Sequence, residues 1–289
     1  MQLFRTTDGR VLVEGDGDGD GGAIGVVAVD SFADLLSRPL DEIRRLVENA
    51  VATDGTDAVD RVAPIDGRTE VWASGVTYLR SRTARMDEST DPDIYDRVYA
   101  AERPELFFKS PAWRVVTDGE PVAIRDDSSW DVPEPELAVI ANRFGEIVGY
   151  GACNDMSSRS LEGENPLYLP QAKVFAGACA IGLTIRPAWE VDAAALPIRL
   201  TIERDGAAVV QEETTTAAMA RTPADLVDWL FRAENFPDGV WLSTGTGIVP
   251  PDDFTLRVGD VVTVAVEGVA TTVNRVESGR GVWEFLAAR

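Results

Sequence analysis

Two glutamates spaced two apart, Glu134 and Glu136, stand at the head of the stretch WDVPEPELAVI. On an extended strand, residues i and i+2 point to one face, about 6.5 Å apart, so both carboxylates aim the same way. Pro133 and Pro135 fix φ beside them and stiffen that aim. Carboxylates this close repel each other unless a cation sits between them. The pair reads either as part of a cation site or as a charged, proline-blocked strand edge that guards against aggregation. A hairpin follows, in which PELAVIAN runs out, RFGE turns and IVGYGACND returns to Asp155. An antiparallel return brings the end of the second strand beside the start of the first, which places Asp155 near the pair. Three hard carboxylates with positions open to water and substrate suit Mg²⁺. The competing reading of Asp155 is an N-cap for the SSRSLE segment.

Two compositional facts narrow the chemistry. The 289 residues include no histidine, which removes the commonest general base and metal ligand and excludes Ser-His-Asp and Cys-His catalysis. A metal here takes oxygen ligands, which points to Mg²⁺, Mn²⁺ or Ca²⁺ rather than zinc. Of 27 cationic residues only Lys109 and Lys173 are lysine. Lysine can shed its proton and act as a base, which arginine effectively cannot. The two exceptions mark either places where arginine cannot serve or remnants of an arginine-biased composition. Lys109 lies four residues beyond Glu105, on the same strand face by even spacing, so an ion pair or a substrate contact is expected there.

The net charge of −22 argues against nucleic acid and against an anionic membrane surface. Such a surplus repels itself at low salt, which suggests a salt-loving source. No run of about 18 apolar residues is present, MQLFRTTDGR lacks the layout of a secretory signal, and two cysteines build no disulfide framework. A reduced, cytoplasmic protein is expected, with Cys153 and Cys179 as small buried hydrophobes.

The elements that must position these residues fall into two blocks. Residues 1–65 read as a small N-terminal unit. RVLVE and AIGVVAVD are strands, and SFADLLSRPLDEIRRLVENAV is a helix capped by Ser31. In the acidic loop at 15–22, Asp16, Asp18, Asp20 and Gly21 match the start of an EF-hand. The twelfth position is Val27 instead of glutamate, so a hairpin loop is expected. Residues 66–289 are mostly strand, including VWASGV, PELFFKS, PELAVIAN, IVGYGACND, CAIGLTI and IRLTIERDG. DPDIYDRVYAAER and TPADLVDWLFRAE read as helices, the latter capped by Thr222. The pattern predicts a mainly β (α+β) protein, a sandwich or folded-over barrel. Ser74 and Gly75, ending the VWASG strand, are pocket candidates. Arg82, Arg85 and Tyr99 lie in a possible lid suited to an anionic or hydroxyl group.

The segments RPELFFKSP, WDVPEPELAVI, GYGACNDMSSRSLEGENPLYLPQAKVFAGACAIG and STGTGIVP resemble the fumarylacetoacetate hydrolase superfamily, in particular its 2-keto-3-deoxy-pentonate dehydratase branch. The resemblance covers about residues 70–289 and implies a mixed β-sandwich or roll as catalytic domain. It implies Mg²⁺, with Mn²⁺ possible, on Glu134, Glu136 and Asp155. It gives Glu105 and Lys173 roles in proton transfer and makes Thr244-Gly245-Thr246 a substrate-contacting turn. It also implies a homodimer or homotetramer. Hydrolase members carry a histidine three residues after a tyrosine, where this chain has Ser81 after Tyr78. That departure disfavours C–C hydrolysis and favours lyase chemistry. The implied reaction dehydrates a 2-keto-3-deoxy-pentonate to 2,5-dioxopentanoate. Lys173 serves as base at C3 and Glu105 as acid at the C4 hydroxyl, with the two roles exchangeable. The alternatives are a keto-acid decarboxylase, a β-diketone hydrolase, or a catalytically dead binding protein.

Overall fold

The structure, a computed structural model, describes residues 1–16, 22–53, 60–88 and 92–288, with the side chains of 85, 87, 88, 92–95 and 288 left aside. Its centre is the strand Pro135–Ala141, buried at every position. It pairs antiparallel with Ile147–Asp155 on one side and with Val240–Ser243 on the other. An internal strand covered on both faces reads as a continuous apolar run rather than an alternating one, which is why ELAVIA looks uniformly hydrophobic. It is no exposed edge, so the anti-aggregation reading of its glutamates falls away.

The pleat splits that run between two cores. Leu137, Val139 and Ala141 pack with Leu200, Val262 and Val264 of a five-stranded sheet. Ala138 and Ile140 pack with Phe32, Leu35 and Ile43 of the N-terminal segment. The larger of these side chains, such as Leu137, Val139 and Ile140, each contribute about 1.5–3 kcal/mol when fully buried. Gly151 lets the Trp241 ring lie on the strand, since a Cβ there would stand 2.7 Å from the ring.

The N-terminal segment joins the same sheet as the catalytic strands. Gln2–Thr6 pairs antiparallel with Thr184–Pro187, and through it with Ile147–Asp155. Residues 1–65 thus extend a thirteen-stranded sheet. The helix read across 31–51 is two helices, Phe32–Leu36 and Leu40–Glu48. Ser31 caps the first, and Pro39 stands at the break as N-cap of the second. Proline removes a helical N–H and clashes with the preceding turn, so one helix could not continue through it. CAIGLTI likewise divides into Cys179–Ile181 and Thr184–Pro187. The segment after Tyr78, which had no assigned structure, is the helix Leu79–Glu88. Of the acidic loop, 17–21 lie outside the described residues. Asp16 pairs with Arg186 at 2.8 Å, and Val27 is buried with its N–H on the carbonyl of Val11.

Candidate active site and metal centre

The hairpin brings the three acidic residues together. Asp155 ends its strand beside Glu134, with its N–H on the Glu134 carbonyl at 3.0 Å. Carboxylate oxygens of Glu134, Glu136 and Asp155 lie within 4.8 Å of one another, all buried. Ser158 caps the next helix, Arg159–Glu164, so the capping role read for Asp155 is taken. Burial, then the charges of Asp155 and Glu134, push the Glu136 carboxyl well above the ordinary carboxylate range. Three buried acids gathered in this way suit a cation, and their oxygen-only donor set fits Mg²⁺ or Mn²⁺.

Each carboxylate is held by a different group of donors. Glu134 Oε1 accepts from Ser157 Oγ at 2.9 Å and pairs with Arg159 Nη1 at 3.0 Å, while Oε2 accepts from Lys173 Nζ at 2.8 Å. Asp155 Oδ2 accepts from Lys173 Nζ at 3.1 Å, and Oδ1 pairs with Lys109. Glu136 Oε2 accepts from Ser243 Oγ at 2.5 Å and from the Gly245 N–H at 2.7 Å. Both lysines of the chain are therefore buried at this centre. Lys109 sits at a bulge in the ladder between Glu70–Gly75 and Glu105–Pro111. Its Nζ also donates to the carbonyls of Met156 at 2.9 Å and Lys173 at 2.6 Å.

A pocket opens over this cluster, walled by Glu134, Asp155 and Lys173 and by Ser74, Gly75, Glu105, Gly245 and Thr246. Glu105 lies across Gly75, where a Cβ would come within 2.1 Å of Glu105 Oε2. Ser74 Oγ donates to the Glu105 carbonyl at 2.9 Å. Phe107 lines the pocket, its ring centroid 5.6 Å from Lys173 Nζ. Phe108 turns away to pack edge-on against Trp72, whereas Phe107, Val76 and Leu169 supply the apolar part of the pocket wall. Gly245 adopts φ +88, and a Cβ there would sit 2.1 Å from Thr77 Oγ1. Glycine is required at that turn on both counts.

Other candidates stand elsewhere. Thr244 donates its hydroxyl to the Leu137 carbonyl at 2.8 Å and serves the turn rather than the pocket wall. Arg82 pairs with Asp96 at 2.6 Å and lies over the Tyr99 ring, tying the helix Leu79–Glu88 to Pro92–Ala100. The Arg85 side chain lies outside the described residues. Sequence reasoning passed over Arg159 and Glu162, although their i, i+3 spacing on the helix signals an ion pair. They pair at 3.2 Å, and Glu162 lines the pocket. Val76, also on the wall, holds φ +53, a conformation that a β-branched residue rarely adopts. Ser81 lines the pocket where the family's histidine would stand, its hydroxyl donating to the Tyr78 carbonyl at 2.8 Å.

This fold and acidic centre match the model of the fumarylacetoacetate (FAA) hydrolase C-terminal family over residues 70–277. The chain belongs to that family. It is 45% identical over 246 residues to a probable 2-keto-3-deoxyxylonate dehydratase of Haloferax volcanii, covering 84% of this chain and 82% of that one. It is 41% identical over 224 residues to a 2-dehydro-3-deoxy-D-arabinonate dehydratase of Saccharolobus solfataricus, covering 76% and 75%. Among solved structures it resembles 2-keto-3-deoxy-D-arabinonate dehydratase complexed with magnesium and 2,5-dioxopentanoate. There the TM-score is 0.81 and the identity 34%, over 97% of this chain and 100% of that one.

Proposed function

We propose that the chain is a Mg²⁺-dependent dehydratase of 2-keto-3-deoxy-pentonates that forms 2,5-dioxopentanoate in oxidative pentose degradation. The observation that carries this reading is the Lys173 ammonium, at 2.8 and 3.1 Å from two carboxylates of the acidic centre, in one pocket with Glu105. Dehydration next to a keto group needs a base at C3 and an acid at the C4 oxygen, and this pocket holds one candidate for each. The dehydratase relatives, one solved with magnesium and this product, support the same reaction.

Glu134, Glu136 and Asp155 would hold the cation, which supplies Lewis-acid charge for the keto and carboxylate oxygens of a 2-keto acid. Charge balance suits such a substrate. Buried around the centre are four carboxylates, Glu134, Glu136, Asp155 and Glu162, against the three cations Lys109, Arg159 and Lys173. A divalent cation more than offsets that deficit, which favours both binding of an anionic keto acid and loss of a proton from Lys173. Lys173 would take the C3 proton as its neutral amine, a form that a divalent cation held beside it favours, and Glu105, aimed by Gly75 and Ser74, would protonate the C4 hydroxyl, which departs as water. Gly245 and Thr246 form the facing wall, and the Gly245 N–H holds Glu136 in place. Histidine-assisted water activation has no counterpart in this chain.

The test is an assay in molar salt with 2-keto-3-deoxy-D-pentonate, the one compound that D-xylonate and D-arabinonate both yield, with Mg²⁺ and with chelator. Formation of 2,5-dioxopentanoate that stops with chelator is expected. Absence of dehydration, with release of CO₂ from oxaloacetate instead, would overturn the reading. Only C4 remains stereogenic in a 2-keto-3-deoxy-pentonate, so the informative comparison is the relative kcat/KM of the D- and L-enantiomers.

A further inference from the structure

Glu162 is a buried acid on the pocket wall that the loss of water does not use. It sits on the helix Arg159–Glu164, whose start is fixed by Ser158 Oγ accepting from the Leu161 N–H at 3.4 Å. Its Oε2 lies 3.2 Å from Arg159 Nη1, and the same Nη1 lies 3.0 Å from Glu134 Oε1. Charge balance does not call for it. Glu134, Glu136 and Asp155 already match Lys109, Arg159 and Lys173 one for one, and Glu162 adds a negative charge to that buried set. Burying a further carboxylate costs stability even when it is paired, which points to a role on the pocket side.

The chemistry of the product supplies such a role. Loss of the C3 proton and the C4 hydroxyl gives 5-hydroxy-2-oxopent-3-enoate, an unsaturated keto acid and not an aldehyde. To become 2,5-dioxopentanoate it must lose a proton at C5 and gain one at C4. We propose that Glu162 is a further catalytic residue, which moves this proton from C5 to C4. The proposal rests on the dehydratase reading and adds a second step, an isomerisation, to it. A carboxylate only accepts hydrogen bonds and is repelled by the anionic keto-acid end of the substrate, so Glu162 suits the hydroxymethyl end.

After water has left, the C3=C4 double bond joins C5 to the keto group and makes the C5 hydrogens acidic. The Glu162 carboxylate takes one of them. The C5–H electron pair becomes the C4=C5 bond, the C3=C4 pair moves to C2–C3, and the carbonyl pair moves onto the C2 oxygen. The Lys173 ammonium, formed when C3 lost its proton, returns a proton to C3, and the C2 carbonyl re-forms. The resulting enol takes the Glu162 proton at C4. Its C5 hydroxyl proton passes to Glu105, which became a carboxylate on protonating the departing hydroxyl. Lys173 ends as the amine, Glu105 as the acid and Glu162 as the carboxylate, each as it began. Substrate becomes product plus water, with no oxidant and no net proton change. Removal of a proton from carbon next to an unsaturated carbonyl is work that a positioned carboxylate can do.

The test supplies synthetic 5-hydroxy-2-oxopent-3-enoate to the Mg²⁺-loaded enzyme and follows the loss of its ultraviolet absorbance and the formation of 2,5-dioxopentanoate. Wild-type protein is expected to speed this isomerisation over buffer by at least about 100-fold, the usual share of a general base. In Glu162→Gln, isomerisation is expected to fall by about 100-fold more than water loss from 2-keto-3-deoxy-D-pentonate, so that the unsaturated acid accumulates. Isomerisation at the buffer rate in wild type, or at the wild-type rate in folded Glu162→Gln, would overturn the proposal. A parallel fall in both steps would overturn it too, because it would mark Glu162 as a support for Arg159 and Glu134. Should the glutamine variant fail to fold, Glu162→Asp keeps the charge and draws the carboxylate back by one methylene. There isomerisation is expected to slow by about tenfold or more relative to water loss, and an unchanged ratio of the two rates overturns the proposal equally. Because the unsaturated acid is supplied directly, the two ideas fail separately. Isomerisation that depends on Glu162, beside absent water loss, would sink the dehydratase reading and leave this step standing. Water loss without isomerisation would do the reverse.

Discussion

At the residue scale, the two lysines divide the work. Lys173 faces the pocket and the acidic cluster, whereas Lys109 lies behind it, ion-paired with Asp155 and donating to the carbonyls of Met156 and Lys173. Lys173→Arg keeps the charge and loses the basicity. It is expected to lower kcat by at least about 100-fold, the usual share of a general base, with the circular dichroism spectrum unchanged. Near-normal turnover in that variant would remove Lys173 as the base. Gly75 is the other decisive single residue, because the Glu105 carboxyl occupies the space a Cβ would take. Gly75→Ala is expected to displace that carboxyl and cost about tenfold or more in kcat, since a misplacement of about 1 Å is enough for such a loss. Unchanged kcat would show that the aim of Glu105 does not matter.

At the element scale, the site depends on how chain segments meet. The bulge opposite Val71 and Trp72 leaves Lys109 out of the ladder, and its side chain reaches inward to Asp155. The strand Asp131–Val132, paired with Ser157–Ser158, anchors the run into Glu134. Asp131 is buried there, with Oδ1 lacking a hydrogen-bond partner among the described residues. Burial pushes its carboxyl from 3.8 up to about 6. A raised carboxyl binds its proton more tightly folded than unfolded, so its contribution to stability is present at low pH and is lost as pH rises from about 4 to about 6. Asp131→Asn is expected to raise the melting temperature at pH 7.5 relative to wild type and to leave it nearly level at pH 4. Equal melting temperatures at both pH values would rule this out.

At the scale of the whole molecule, the −22 charge is spread over a chain whose core is well formed. Like charges on such a surface repel over a Debye length that falls from about 10 Å at 0.1 M salt to about 3 Å at 1 M. Melting temperature is therefore expected to rise between 0.2 and 2 M KCl, and a flat profile would refute the salt-dependence suggested by composition. No helix among the described residues is long and apolar enough to cross a membrane. The N-terminal segment shares both a sheet and an apolar cluster with the strands that carry the site, through Leu3↔Ile185 and the packing of Phe32 and Leu35 with Ile140. Chemical denaturation is thus expected to be one cooperative transition, and we propose that residues 1–65 form a distinct unit in sequence only. A separate early transition by tryptophan fluorescence would argue for independent folding.

The sequence by itself determined the donor chemistry and much of its placement. With no histidine, a metal had to find oxygen ligands. A period-two spacing aimed Glu134 and Glu136 together, and one hairpin was enough to return Asp155 to them, because antiparallel pairing is local and its register follows from a short turn. The scarcity of lysine also marked both residues that the fold buries at the centre. Tertiary structure alone decided the rest. Gly75 and Glu105 meet across two strands separated by the helices Leu79–Glu88 and Pro92–Ala100. Ser243 and Gly245 reach Glu136 from more than a hundred residues away. Arg159 and Glu162 become part of the site only once their helix packs under Glu134. These contacts depend on long-range pairing and on a bulge that shifts register by one residue, and no local pattern in a chain encodes the partner's side of such a contact.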